Sequence, residues 1–65
     1  MTGLAKDCIY YRARHDLTQA QFAKLCGVDR TTIIDVEHER PVSKFTEAKI
    51  RIIINAEAGG KELEN

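Results

Sequence analysis

LTQAQFAKLCGVDRTTIIDVE, residues 17–37, has the pattern of two short helices joined by a tight turn, and the rest of the chain reads as support for it. Thr18 supplies a hydroxyl oxygen that accepts from an orphan backbone N–H, so a helix opens there and continues through Gln19, Ala20, Gln21, Phe22, Ala23, Lys24 and Leu25. Gly27 ends it, because glycine takes the left-handed conformation past a helix end without a Cβ penalty, and Val28 is apolar enough to tuck between the two helices. Asp29 caps the next helix, Arg30 to Glu37. Its spacing sets Ile33, Val36 and Glu37 on one face and Arg30, Thr31, Ile34 and Asp35 on another, so one side packs and the other is available.

Upstream, Leu4 to about Arg14 reads as a packing helix with Leu4, Cys8 and Tyr11 at i, i+4, i+7. Tyr10 and Tyr11 admit two readings, an aromatic platform for unpaired bases or a core ring with an edge ring beside it. Arg12 is, from spacing alone, an ordinary solvated charge. Downstream, Ser43 is an N-cap with Glu47 favourable in the following turn, and Phe45, Ala48, Ile52 and Ala56 form a stripe at helical spacing, expected to be the core side of a fourth helix. Ile50, Ile53 and Ile54 then point to a flank that a chain this short has nothing left to cover, which makes them the expected dimer interface around a two-fold axis. A rival reading makes residues 49–55 an edge strand, since the run is β-branched; length favours the helix and propensity the strand. Ala58-Gly59-Gly60 is expected to break the pattern, leaving a domain over residues 1–56 and a polar, flexible tail over 57–65.

A chain of 65 residues forms one small domain, and domains of this size bury only about 60% of their unfolded surface, so assembly would add stability. Ten basic and ten acidic side chains cancel. Residues 1–54 carry nine Lys or Arg against seven Asp or Glu and residues 55–65 one against three, so the globular part is slightly basic and the tail acidic. Cys8 and Cys26 form no disulfide framework and no zinc-type pair; Cys26 reads as a small buried hydrophobe, with a redox switch as the rival. His38 reads as a surface residue, and no histidine or cysteine spacing argues for a metal. The N-terminus lacks a charged region followed by an apolar run, and Ile50 to Ile54 is too short to span a bilayer, so a cytoplasmic protein is expected. No carboxylate pair, nucleophile with a base, or phosphate loop points to an enzyme, and no cofactor or small-molecule substrate is implied.

These residues resemble the helix-turn-helix domains of the Xre/Cro type, which include phage repressors and Cro proteins. The resemblance is carried by Leu17-Thr18-Gln19, by the large and small pair Phe22 and Ala23, by the turn Gly27-Val28 and by Arg30 to Glu37, and it extends over roughly residues 8–54. It implies an all-α, four-helix domain without the usual fifth helix, and it implies that Arg12 pairs with Glu37. In such proteins the second helix of the motif enters the major groove of DNA while the first crosses the backbone. Arg30, Thr31, Ile34 and Asp35 are then the base-contacting candidates: Arg30 for guanine, Thr31 for a base edge or thymine methyl, Ile34 for a methyl or a protein contact, and Asp35 for a cytosine amine or for no partner at all. Thr18, Gln19, Thr32, Arg40 and Lys44 are the backbone-contacting candidates. After Glu37 the pattern departs, since His38-Glu39-Arg40-Pro41 lacks the glycine and the longer basic loop usual in the family. The expected function is transcriptional regulation by a homodimer on a palindromic duplex operator, in the manner of a phage or mobile-element repressor or Cro. The alternative is a modulator that docks on a repressor protein, favoured by the neutral charge, by Ile34 and Asp35, and by the short loop.

Overall fold

The computed structural model describes residues 3–63, with side chains described for residues 3–56. Four helices follow one another: α1 (Gly3–His15), α2 (Gln19–Cys26), α3 (Arg30–Glu37) and α4 (Lys44–Leu63), with no strand among the described residues. α3 packs against both α1 and α2, and α4 closes the other side of the same pair.

Local chemistry sets the boundaries. Thr18 and Gln21 form a reciprocal cap: the Thr18 oxygen accepts from the Gln21 backbone N–H at 3.0 Å, and the Gln21 side-chain oxygen accepts from the Thr18 N–H at 2.8 Å. Asp29 caps α3 through Thr31, and the Ser43 hydroxyl oxygen accepts from the Thr46 N–H at the start of α4. The first three helices share one way of stopping. Asp16, Gly27 and Glu39 all have positive φ, at 56°, 73° and 63°. The next N–H then folds back to a carbonyl five residues earlier, from Leu17 to Arg12 at 2.9 Å, from Val28 to Ala23 at 3.0 Å and from Arg40 to Asp35 at 2.8 Å. Glu39 thus takes the conformation that a glycine would adopt without strain, which is how the chain turns after α3 with no glycine there.

The core is built from Leu4 and Cys8 of α1, Phe22, Ala23 and Cys26 of α2, Ile33 and Val36 of α3, and Ile50 of α4. Tyr11 lies against it with its ring 5.2 Å from that of Phe22, whereas Tyr10 is exposed and faced by the Arg14 guanidinium. Burying side chains such as Phe22, Ile33 and Ile50 completely stabilises the fold by roughly 1.5–3 kcal/mol each.

α4 differs from the sequence reading in three respects. Residues 49–55 are helical, so the strand alternative is set aside. The helix is rotated relative to expectation: Ile50 is fully buried at 0% exposure and Ile53 and Ile54 pack on the core, while Phe45 and Ile52 are 75% and 66% exposed and Ala48 and Ala56 face solvent. Ile50 is therefore part of the protomer's core, and Ile53 and Ile54 lie against that core half-buried. This rotation buries Ile50 completely and sets Ile53 and Ile54 on the core, and the residues beside Ile50 are compatible with it: Lys49 Nζ donates to the Gly27 carbonyl at 2.8 Å, and Arg51 Nη1 lies 3.6 Å from Asp7 Oδ2. Thirdly, α4 does not break at Gly59-Gly60 but continues to Leu63. Two glycines cost about 1 kcal/mol each in a helix interior, and the flanking Ala, Glu, Lys and Leu are good helix formers. The expected flexible tail is thus helical over residues 57–63, and its last two residues lie outside the described part.

Candidate nucleic-acid interface

α3 is held from behind by two side chains, Arg12 and Gln19, that meet on Glu37. Arg12 Nε donates to Glu37 Oε2 at 2.8 Å and Arg12 Nη2 to Glu37 Oε1 at 2.9 Å, a bidentate pair, while Gln19 Nε2 donates to the same Oε1 at 3.1 Å. Arg12 Nη1 donates to the Leu17 carbonyl at 3.1 Å, so the guanidinium also fixes the corner where α1 passes into α2. The Glu37 side chain is only 5% exposed and that of Arg12 23%. The pair raises the Arg12 pKa above its already high value, chiefly through the hydrogen bonds to Glu37. With α1, α2 and α3 all bound to one carboxylate, the orientation of α3 against α2 is fixed; net stability gains less, since desolvation offsets much of the attraction.

The opposite side of α3 carries the base-contacting candidates. Arg30 and Thr31 are exposed at its N-terminal end, and Ile34 and Asp35 follow one turn later, half-buried. Thr31 is less free than its exposure implies: its hydroxyl donates to Asp29 Oδ2 at 2.5 Å and its N–H to the same oxygen at 3.1 Å. These bonds, the hydroxyl first, lower the Asp29 pKa. Asp35 Oδ1 accepts from Arg40 Nη1 at 3.1 Å, so a base-contacting candidate and a backbone-contacting candidate neutralise each other across the end of α3.

The other backbone candidates sit around this face. Thr18, exposed at the α2 N-terminus, uses its oxygen as an acceptor and keeps its hydroxyl hydrogen for donation. Gln19 is half-buried and tied to Glu37, with one amide hydrogen still to give. Thr32 is half-buried, and Lys44 is exposed at the start of α4. His38 Nδ1 lies 2.8 Å from the Ile34 carbonyl, so this nitrogen carries the hydrogen. Sequence reasoning missed the attachment of Gln19 to Glu37, the Asp35–Arg40 pair and the Lys49 anchor. All three join residues through the fold or across a turn and leave no periodic signal, whereas the return bond in which the Thr18 N–H donates to the Gln21 side chain, also missed, is legible as Thr-x-x-Gln.

Among the described residues, no group of three or more His, Cys, Asp or Glu is placed to hold a metal ion, and no helix is long and apolar enough to cross a membrane. A surface groove of about 360 Å³ lies between the start of α1, the α3–α4 loop and α4, and Arg30, Thr31 and Ile34 take no part in its lining.

Two short helices joined through a left-handed glycine, the second presenting an open face and locked from behind, define a helix-turn-helix domain. A family model described as helix-turn-helix matches residues 9–56, most of the chain, and the protein belongs to that family, in its Xre/Cro-like branch. Over 28 residues the chain is 61% identical to a protein of Methanocaldococcus jannaschii named as an uncharacterized HTH-type transcriptional regulator. The match covers 43% of this chain and 42% of that relative, less than half the length of either. No solved structure matches the chain significantly.

Proposed function

We propose that the protein is a sequence-specific regulator of transcription that binds duplex DNA with α3 in the major groove and acts as a dimer on a palindromic operator. The observation that carries this reading is the combination on α3 of an outward face with exposed Arg30 and Thr31 and an inward face fastened by Arg12, Gln19 and Glu37. A reading helix must be rigid, because bidentate recognition of guanine by Arg30 tolerates little misplacement; a well-formed pair of this kind discriminates by about 1–3 kcal/mol. Thr18, Gln19 and Lys44 serve the flanking phosphates, and Arg40 joins them once it leaves Asp35. The setting is the cytoplasm of a prokaryotic cell, and the role is that of a phage or mobile-element repressor or Cro-like protein. Family membership and the relative named as a transcriptional regulator both support this reading.

Selection of binding sites from random and genomic fragments at low salt tests it. The wild type should enrich a palindrome with half-sites about one helical turn apart, and Arg30→Ala should lose the enrichment while keeping its fold. A second reading, a modulator that docks on a repressor, is favoured by the Asp35–Arg40 pair, which leaves the centre of the groove face without net charge beside the half-buried Ile34. Failure of the folded wild type to enrich any site would shift the assignment to that reading.

A further inference from the structure

Thr31, Ile34 and Asp35 stand at i, i+3 and i+4 on α3, so Thr31 neighbours both of the others, at about 5–6 Å between Cβ atoms. Each side chain offers something definite. The Thr31 hydroxyl gives its hydrogen to Asp29 Oδ2 at 2.5 Å, so it has none for a base, and the γ-methyl is the part of the side chain left unengaged. Ile34 is half-buried, yet it is not among the residues packed on the core and takes no part in the groove beside α4. Asp35 is an acceptor with no hydrogen to give; Arg40 Nη1 holds Oδ1 at 3.1 Å, and Oδ2 takes no hydrogen bond among the described residues. The three side chains together make one acceptor bordered by methyl groups.

The major-groove edges of the bases differ in how they suit that pattern. Guanine shows acceptors only, which a carboxylate repels, and adenine sets the acceptor N7 beside its amine hydrogen. Thymine brings a methyl but turns O4, an acceptor, toward Asp35. Cytosine offers an amine hydrogen to Asp35 and nothing to Thr31 or Ile34. A cytosine methylated at C5 carries the amine hydrogen and the methyl side by side, and meets both demands. Methylation of the amine itself, at N4 of cytosine or N6 of adenine, replaces the hydrogen that base pairing leaves free and so removes the donor. We infer that Thr31, Ile34 and Asp35 form a reading site for 5-methylcytosine in duplex DNA: Asp35 accepts from the N4 amine, while Ile34 and the Thr31 γ-methyl cover the C5 methyl. The inference rests on the operator-binding function proposed above and adds to it the chemical state of the base. Covering one methyl group strengthens binding by about fourfold at each half-site.

The test begins with two selections by the whole chain at low salt, one from duplex amplified with deoxycytidine triphosphate and one from duplex amplified with its 5-methyl analogue. Synthetic duplexes of the enriched site then carry cytosine, 5-methylcytosine, N4-methylcytosine, or thymine paired with adenine, at each cytosine position in turn, and affinity is measured by fluorescence anisotropy. At one position in each half-site, 5-methylcytosine should bind about fourfold tighter than cytosine, and thymine and N4-methylcytosine should bind more weakly than either. Ile34→Ala should bring 5-methylcytosine and cytosine closer together, and Asp35→Asn should narrow the gap between 5-methylcytosine and thymine. Circular dichroism checks that each variant is folded, and the series of bases on the wild type stands without them. An enriched site at which 5-methylcytosine is nowhere better than cytosine, or at which thymine matches it, would overturn the inference and leave operator binding intact. Enrichment from the methylated library alone would uphold both, and enrichment from neither library would overturn both.

Discussion

Replacing Arg12 by alanine would leave the Glu37 carboxylate in a nearly closed site with Gln19 as its remaining side-chain donor. Removing one partner of a buried pair costs about 3 kcal/mol, most of it the uncompensated charge. The expected outcome is a large fall in melting temperature for Arg12→Ala and partial recovery when Glu37→Gln is added, measured by thermal unfolding of the two variants; no recovery would mean that the uncompensated charge is not the cause. Asp29 gives a pH signature. Its pKa is lowered from an ordinary value of 3.8 by the Thr31 hydroxyl and N–H, so its contribution to stability is complete above that value and disappears as the pH falls through the depressed one. Melting temperatures between pH 5 and pH 2 should decline less steeply for Asp29→Asn than for the wild type. Burial raises the Cys8 thiol to about 12 and the Cys26 thiol to about 11. Neither is a thiolate near neutral pH, so a disulfide reagent at pH 8 should react no faster than the protein opens, and prompt labelling of the native protein would revive the redox reading. The Arg12–Glu37 separation along the chain carries no local signal, so this pair is legible only through the family resemblance, and the third member, Gln19, is legible only in three dimensions.

At the scale of elements, the caps and the turn at Gly27 fix α2 and α3 in the sequence, because each boundary is a local hydrogen-bonding event within a few residues. The rotation of α4 is not fixed in the same way. Its two faces are both apolar, Ile50, Ile53 and Ile54 on one and Phe45, Ala48, Ile52 and Ala56 on the other, and periodicity does not choose between them. The choice is made by packing against α1, α2 and α3, which buries Ile50 and covers Ile53 and Ile54, with Lys49 reaching the Gly27 carbonyl and Arg51 reaching Asp7, contacts between segments far apart in sequence. The end of α3 was also opaque, since a missing glycine looks like a missing turn until Glu39 is found in the left-handed conformation. That conformation costs a residue with a Cβ about 1 kcal/mol. Glu39→Gly should therefore raise the melting temperature by a few degrees, given about 4–8 °C per kcal/mol for domains of this size. An unchanged or lower melting temperature would show that contacts of the Glu39 side chain outweigh the strain.

For the whole molecule, zero net charge looks unfavourable to DNA binding, and the resolution lies in where charges are already spent. Arg12 is committed to Glu37, Lys49 to Gly27 and Arg51 to Asp7 and Glu47, while Arg40 is held by Asp35 beside the candidate groove face. The pair is exposed, so Arg40 is released at little cost, but Asp35 still repels phosphate after release. Binding to any DNA should therefore be weak, with a shallow salt dependence. Asp35→Asn removes the repulsion and frees Arg40 for a phosphate, and each phosphate neutralised adds about 0.9 to the slope of log K against log salt. The variant should bind nonspecific duplex more tightly than the wild type and show a slope steeper by about one per subunit, measured by titration between about 50 and 200 mM salt. If Asp35 also accepts from a cytosine amine, the same change relaxes the sequence preference at that position while leaving the guanine contact proposed for Arg30 unaffected. A variant with unchanged slope and unchanged nonspecific affinity would mean that Arg40 does not reach the backbone, and the phosphate contacts would then rest on Thr18, Gln19, Thr32 and Lys44.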